Sequence, residues 1–423
     1  MIISNPAFSL ASSQNENNTP DNTDTATKQP ELLSFLREGP SITSGDAPDS
    51  INAVLEQRDT LSINPIRRSL FPDFYYNLRQ KRLDWWKKLR VELTLTYDAL
   101  VQGYNDPDES LSGGAGDLSL SGRWLMFGEK YNKPFYLSFR VRDRHGYSEY
   151  TPANIRSETY LLWGTTKGFN DAGFQIPDLF FDQELFDGRL ELIYGQFSID
   201  KFVDKHALRS AKRFFLNQAF SDNPTVEFPS FGAGFTAHWK PNEYWEFGGG
   251  GSNIQGVEDD SKVNFKLDSS ALFGTVQIAY NFSGLGDKSG RLQAMGWNTN
   301  VNDEEDLSSG KGVSFTLEHG GRAKGESFVL RYAQSDGEAT STDILCFLGY
   351  GREVRGFDHV GIGVGAGRSA ATSTWQTVYE LYYRWQVTKE LLITPDLQFI
   401  FGDDLDGDSK TRIVAGVRAG IVF

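Results

Sequence analysis

The chain has almost no sulfur: Cys346 is the only cysteine among 423 residues, beside three methionines. A single cysteine excludes an intrachain disulfide and any zinc site built from several thiolates. Set in an apolar run, it reads as packing rather than as a catalytic thiol. Long apolar runs are missing too. None reaches the roughly 18 residues of a spanning helix, and mean hydropathy is −0.43. Basic charge is in deficit, with 42 Lys and Arg against 56 Asp and Glu and a net charge of −14. That balance argues against a nucleic-acid partner, because phosphate binding rests on an excess of Lys and Arg. Catalytic signatures are absent as well: no G-x-S-x-G, H-E-x-x-H, P-loop or Rossmann fingerprint occurs. "GVGAGR" at 363–368 lies in a strand pattern with no helix behind it and reads as packing. His145, His206, His238, His319 and His359 find no catalytic partner by pattern. The reading is of a protein that is not an enzyme and carries no cofactor and no metal.

Aromatics and glycine are plentiful: 31 Phe, 17 Tyr, 9 Trp and 43 Gly. From Arg90 onward they fall into period-two alternation. "VELTLTY" sets Val91, Leu93, Leu95 and Tyr97 against Glu92, Thr94 and Thr96, and "VYELYYRWQV" sets Tyr379, Leu381, Tyr383 and Trp385 against Glu380, Tyr382, Arg384 and Gln386. Successive strand side chains point to opposite faces, so each segment has one apolar and one polar wall. Many segments have the roughly 9–11 residues that a tilted strand needs to cross a bilayer, with aromatics near their ends as an interfacial girdle requires. About sixteen such segments can be counted, an even number as in bacterial barrels. The expected fold is all-β: a transmembrane antiparallel barrel over 90–423. One strand is expected at 156–166, followed by a long connection at 167–186 that breaks the alternation of short periplasmic turns and long extracellular loops.

Residues 1–30 read as a signal remnant or disordered linker, and 31–89 as a periplasmic or plug-like lead-in that is partly helical or disordered. Within it "ELLSFLRE" and "SINAVLEQRD" suit short helices. "DFYYNLRQKRLDWWKKLR" suits a basic, aromatic helix at a membrane interface, in the lumen, or packed on its own domain. The third extracellular connection, 197–230, is long, charged and aromatic. It is expected to fold inward and narrow the pore, with a short helix near 205–219. The acidic stretches at 257–260, 302–306 and 402–408 raise a calcium question, but they lack a full oxygen-ligand loop and read as solvated.

Four stretches resemble the carbohydrate-selective porins (OprB family): "LELIYGQFSIDKFVD" at 190–204, "NPTVEFPSFGAGFTAHWKPNEYWEFGGG" at 223–250, "FDHVGIGVGAGR" at 357–368 and "QTVYELYYRWQVTKELLITPDLQFI" at 376–400. The resemblance implies a sixteen-stranded channel for sugars such as glucose in the outer membrane of a Gram-negative bacterium, without fixing the sugar. The partners it implies are sugar substrates, outer-membrane lipid and lipopolysaccharide, and the barrel-assembly machinery, which reads a terminal aromatic such as Phe423. The chain would act as a monomer or homotrimer. From the alternation, the substrate-contacting lumen residues are expected to be Glu380, Tyr382, Arg384, Arg140, Asp396, Arg412, Arg418, His238 and Lys240. The constriction-loop residues are Lys201, Asp204, Lys205, His206, Arg209 and Arg213. A wall that mixes both signs of charge with Tyr and Gln suits a neutral polyhydroxylated solute better than an ion.

Overall fold

The computed structural model describes residues 47–423, except 65, 129–132, 258–259, 268–270, 284–288, 301–308, 321–324 and 356–357. Sixteen antiparallel strands close on themselves, each bonded to its sequence neighbours, with β1 (Val91–Asn105) completing the ring against β16 (Ser409–Val422). The closing register runs from Thr96↔Val422 to Asn105↔Ile413, so no strand edge is left unpaired, as lipid demands. Along β14 (Trp375–Gln386), Tyr379, Leu381 and Trp385 are exposed outward, whereas Gln376, Glu380, Tyr382 and Gln386 are buried inward. This is the inverse of a soluble sandwich, because the solvent for the apolar face is lipid.

The expected fourth strand is wrong. Residues 152–159 form a helical turn and the short helix α3 (Ile155–Thr159), and the true β4 is Gly173–Leu185. The correction restores the parity of the connections. Those after even-numbered strands (128–134, 186–189, 240–244 and onward) are short, and the long ones, 147–172, 198–231 and 254–271, lie at the opposite end. Pro152, Gly164 and Gly168 in "PANIRSETYLLWGTTKG" favour turns. Its apolar residues alternate poorly because they pack inside the barrel.

Two of the long connections pack inside the barrel against its wall. Leu161, Leu162 and Trp163 from 147–172 join Leu208, Phe215 and Phe220 from 198–231, packed on Val329, Phe347, Val378, Tyr382 and Ile400 of the wall. Each buried aromatic or leucine contributes about 1.5–3 kcal/mol. The wall makes room through glycine. A side chain on Gly363 of β13 (Asp358–Ser369) would meet Phe220 at 2.9 Å and Phe215 at 3.2 Å. The alternating glycines of "FDHVGIGVGAGR" therefore form a trench for loop aromatics.

Before the barrel come α1 (Ile51–Ser62), capped by Ser50, and α2 (Pro72–Leu89), which begins on a proline and ends at Arg90 in the left-handed conformation. α1 packs at the short-turn mouth: Arg58 donates to the Leu93 carbonyl at 2.7 Å, and Asn64 donates to Gln386 at 2.7 Å. Residues 1–46, with the expected helix at 31–38, lie outside the described residues, as does the acidic stretch 302–306.

Candidate functional site: the lumen beside β1–β4

The loops cover the side of the interior from β11 (Glu326–Ser335) to β16 and leave a cavity of about 520 Å³ against β1 to β4, with β2 spanning Ser110–Phe127. Its wall is β3 (Phe135–Gly146), whose inward residues Arg140, Arg142 and Arg144 form a vertical row of guanidinium groups. Alternation places them two residues apart on one face. Each meets a different environment. Arg140 pairs with Asp178 at 3.4 Å and donates to the Asp49 carbonyl at 2.8 Å. Arg144 pairs with Asp117 at 2.9 Å. Arg142 donates to Gln175 at 2.6 Å and lies 5.7 Å from the Phe231 ring centroid.

The loops supply the facing side. Lys201 bonds both Asp178 oxygens at 2.6 and 2.8 Å, and Lys212 bridges Asp117 at 2.9 Å and Asp98 at 3.3 Å. Lys167, from the second loop, reaches Asp200 at 2.7 Å and Asp222 at 2.9 Å on the third, where Arg209 also pairs with Asp222 at 2.9 Å. This four-membered network ties the two loops together. Burial disfavours each charge, but Lys167 and Arg209 outweigh it at Asp200, whose carboxyl is held far below the usual carboxylate range. Lys201 goes the other way: burial, reinforced by Arg140 and Arg142 against the pull of Asp178, pushes its ammonium down to about 8.

The residues expected to line the pore divide into three groups. Arg140, Lys201, Arg209 and Arg213 line the cavity. Glu380, Tyr382, Arg384, Asp396 and Arg418 point inward as expected, but they lie beneath the third loop. Glu380 accepts from the amides of Leu216 and Asn217, Arg384 donates to the Arg213 carbonyl at 3.2 Å, and Arg418 donates to the Ala211 and Phe214 carbonyls. Tyr382 bonds His359 at 2.9 Å, and Asp396 accepts from Gln398 at 3.2 Å. The helix expected near 205–219 shrinks to Gln218–Ser221: backbone groups of Ala211, Arg213, Phe214, Leu216 and Asn217 pair with wall side chains, and the loop's own backbone bonds close only isolated turns. Asp204 meets Arg331 at 3.1 Å, and His206 packs 5.3 Å from the Phe347 ring.

The third group lies elsewhere. Arg412 is enclosed at the long-loop rim by Asp404, 2.5 Å away. The same carboxylate accepts from the Asp406 and Asp408 amides, so the acidic turn at 402–408 is held by hydrogen bonds to its own backbone and by Arg412. His238 and Lys240 stand at the short-turn end, each 3.9 Å from Glu246, with Lys205 acting electrostatically on both His238 and Glu246. Phe423 exchanges backbone bonds with Leu95 at 2.8 and 3.1 Å, and its ring meets Phe74 of α2 edge-on at 5.6 Å. The sequence reading missed Lys167, Asp200 and Phe231 as lumen groups, whereas Lys212, expected on the inward loop, does line the cavity. Only a correct placement of β4 would have put Lys167 on an inward loop.

A closed sixteen-stranded barrel with inward loops, an outward apolar face and a charged lumen is the fold of an outer-membrane porin, and it places the chain in the outer membrane of a Gram-negative bacterium. Residues 314–423 match the family described as carbohydrate-selective porin, OprB family, which bears out the resemblance read at 357–368 and 376–400. Two structures of Pseudomonas putida OprB superpose. The high-pH form has a TM-score of 0.67 at 15% identity, covering 82% of this chain and 97% of that one. The low-pH form has a TM-score of 0.53 at 14% identity, covering 84% and 99%. A mutant of the Rh. blastica porin gives a TM-score of 0.51 at 10% identity, covering 79% and 100%. No curated protein sequence matches the chain. Family and fold are those of channels, and together they support a sugar-selective outer-membrane channel.

Proposed function

We propose that the chain gives passive, selective diffusion to neutral, glucose-like mono- or disaccharides along the β1–β4 side of its lumen. The observation that carries this reading is the Arg140–Arg142–Arg144 row, flanked by its paired carboxylates Asp178 and Asp117, along one wall of a cavity of about 520 Å³. Both signs of charge are present and mostly paired, so the lumen offers donors and acceptors to hydroxyl groups without a single-sign ring that would select an ion. Arg142 and Phe231 form a guanidinium and ring platform, suited to one hydroxyl pair and the apolar face of a pyranose. Lys201, Arg209 and Arg213 contact the solute from the loop. Glu380, Tyr382, Arg384, Asp396, Arg418, Asp204, Lys205 and His206 act one step back, by holding that loop in place, and Arg412 holds the rim turn. Many weak contacts in series permit release. No catalytic step is assigned to any residue.

Two finer readings go with this. Phe423 serves as the signal for the barrel-assembly machinery, and one copy encloses a complete pathway whether the protein is a monomer or a homotrimer. Liposome swelling tests the proposal: reconstituted protein should admit glucose faster than sucrose, and swelling no faster than in protein-free liposomes would refute it. A second reading, a barrel closed at its short-turn mouth, draws support from residues 47–64, where Asn64 and Arg58 bond the wall. Single-channel conductance before and after removal of that segment separates the two.

A further inference from the structure

α2 carries Phe74, Tyr75, Tyr76, Trp85 and Trp86, yet Tyr75 is its one buried residue. Phe74 is 55% exposed, Leu89 58% and Phe71, just before the helix, 60%. Rings exposed in such number call for a neighbour other than water. The segment is also basic within an acidic chain: from Arg67 to Arg90 it holds eight Lys and Arg against two acidic residues.

Its contacts place the helix on the outer side of the short-turn rim. Its entry is fixed to the turn at 387–390, where the Leu70 amide donates to Glu390 at 3.2 Å and the Lys389 amide donates to the Arg68 carbonyl at 3.2 Å. Tyr75 and Arg82 turn toward Ser62, Arg58 and Asp59 of α1. Phe74 meets Phe423 edge-on at 5.6 Å. By alternation Phe423 shares the outward face of β16 with Ile413 and Val417, 39% and 52% exposed, while Val422 faces the cavity. Phe74 therefore touches the surface that lipid covers. Other outward rings stand around the same rim: Phe127 stacks on Phe135 at 4.6 Å, and Trp245 meets Tyr280 at 4.8 Å. Such a girdle marks the membrane–water interface, and α2 begins beside it.

The helical period divides α2 into three sides. Phe74, Leu78, Trp85 and Leu89 fall within about 60° of one another and form an apolar stripe. Tyr75, Arg82 and Trp86 fall on the side turned to the protein, and Asn77, Gln80 and Asp84 on the side away from both. Lys81 and Lys88, two turns apart and both exposed, border the stripe on its water side. We infer that α2 is an interfacial helix: its stripe lies at the acyl boundary of the periplasmic leaflet, and Lys81 and Lys88 bind the phosphodiester headgroups of anionic phospholipid. An ammonium donates to phosphate oxygens, and its alkyl stem can follow the apolar stripe while its head stays in the wet headgroup layer. Apolar burial and charge attraction then add, as they do for helices that lie on membranes. The helix runs straight into β1 at Arg90, whose guanidinium lies 5.5 Å from the Trp86 ring centroid, so lipid bound at α2 steadies the strand that closes the barrel. This assignment does not depend on which solute the lumen passes.

The test uses the full chain in phosphatidylcholine vesicles, with Cys346→Ser as background and a fluorophore on Trp85→Cys or Leu89→Cys in the stripe, or on Gln80→Cys on the polar side. Heat-modifiable gel mobility checks that each variant is folded. Nitroxide carried on a phospholipid acyl chain should quench the stripe positions several-fold more than position 80. With trace nitroxide-labelled phosphatidylglycerol in place of labelled phosphatidylcholine, quenching at the stripe should show preference for the anionic lipid. That preference should fall by about fivefold for each lysine removed in Lys81→Gln and Lys88→Gln. Equal quenching at stripe and polar positions would overturn the interfacial placement. Stripe quenching with no preference for phosphatidylglycerol, or a preference that survives loss of both lysines, would overturn the headgroup site.

Discussion

Trp163 and Gly367 occupy one site on the barrel wall. The indole lies where a Gly367 side chain would be, and its Nε1 donates to Thr342 Oγ1 at 3.0 Å. Gly367→Ala should expel the ring, cost about 1–3 kcal/mol of overpacking and loosen the second loop. Single-channel recordings should show larger, noisier conductance, while the barrel still runs as a folded, heat-modifiable species.

Asp204 and Arg331 form an ion pair with no exposed surface on either partner, where the third loop touches β11 (Glu326–Ser335). Arg331→Met leaves a buried carboxylate uncompensated, a loss of about 3–5 kcal/mol. Limited proteolysis should cut within 198–231 in the variant and not in the wild type. Replacing both partners with apolar residues should recover most of the protection.

Lys201 predicts a pH effect with a defined sign. Burial and the neighbouring Arg140 and Arg142 lower its ammonium to about 8 despite Asp178. The lumen therefore holds this positive charge below that pH and loses it above. Reversal potentials in a salt gradient should shift toward cation preference between pH 7 and pH 9. Lys201→Arg, which stays charged, should remove the shift.

Residues 47–64 enter the short-turn mouth, and Asp49 bonds both Arg140 and Ser210. Removing the segment through Asn64 should raise conductance, and it should weaken sugar selectivity by freeing Arg140. Equal conductance with and without the segment would show that it does not narrow the pathway.

The architecture was readable because a barrel writes itself as alternation. Tyr379 to Gln386 had one possible division into lipid and lumen faces, and the burial of Glu380, Tyr382 and Gln386 against the exposure of Tyr379, Leu381 and Trp385 bears it out. What failed was local. Leu161, Leu162 and Trp163 form an apolar run because they pack inside the barrel on loop aromatics, and alternation cannot tell an inward loop from a strand of poor pattern. The pore-lining residues were half legible for the same reason. Period two finds the inward face of Glu380 and Arg418, but whether that face meets solute or a folded-back loop depends on contacts across the lumen. The glycines of 361–367 carried that signal, since a wall stripped of side chains implies something packed against it.

The location of the pathway can be measured through the lone cysteine. With Cys346→Ser as background, Ser121→Cys places a thiol in the β1–β4 cavity and Gln398→Cys places one beneath the loops. Glucose flux into liposomes is then followed before and after a charged thiol reagent. Flux should fall on modification at 121 and stay unchanged at 398; flux that is insensitive at 121 but blocked at 398 would contradict a sugar pathway along β1–β4.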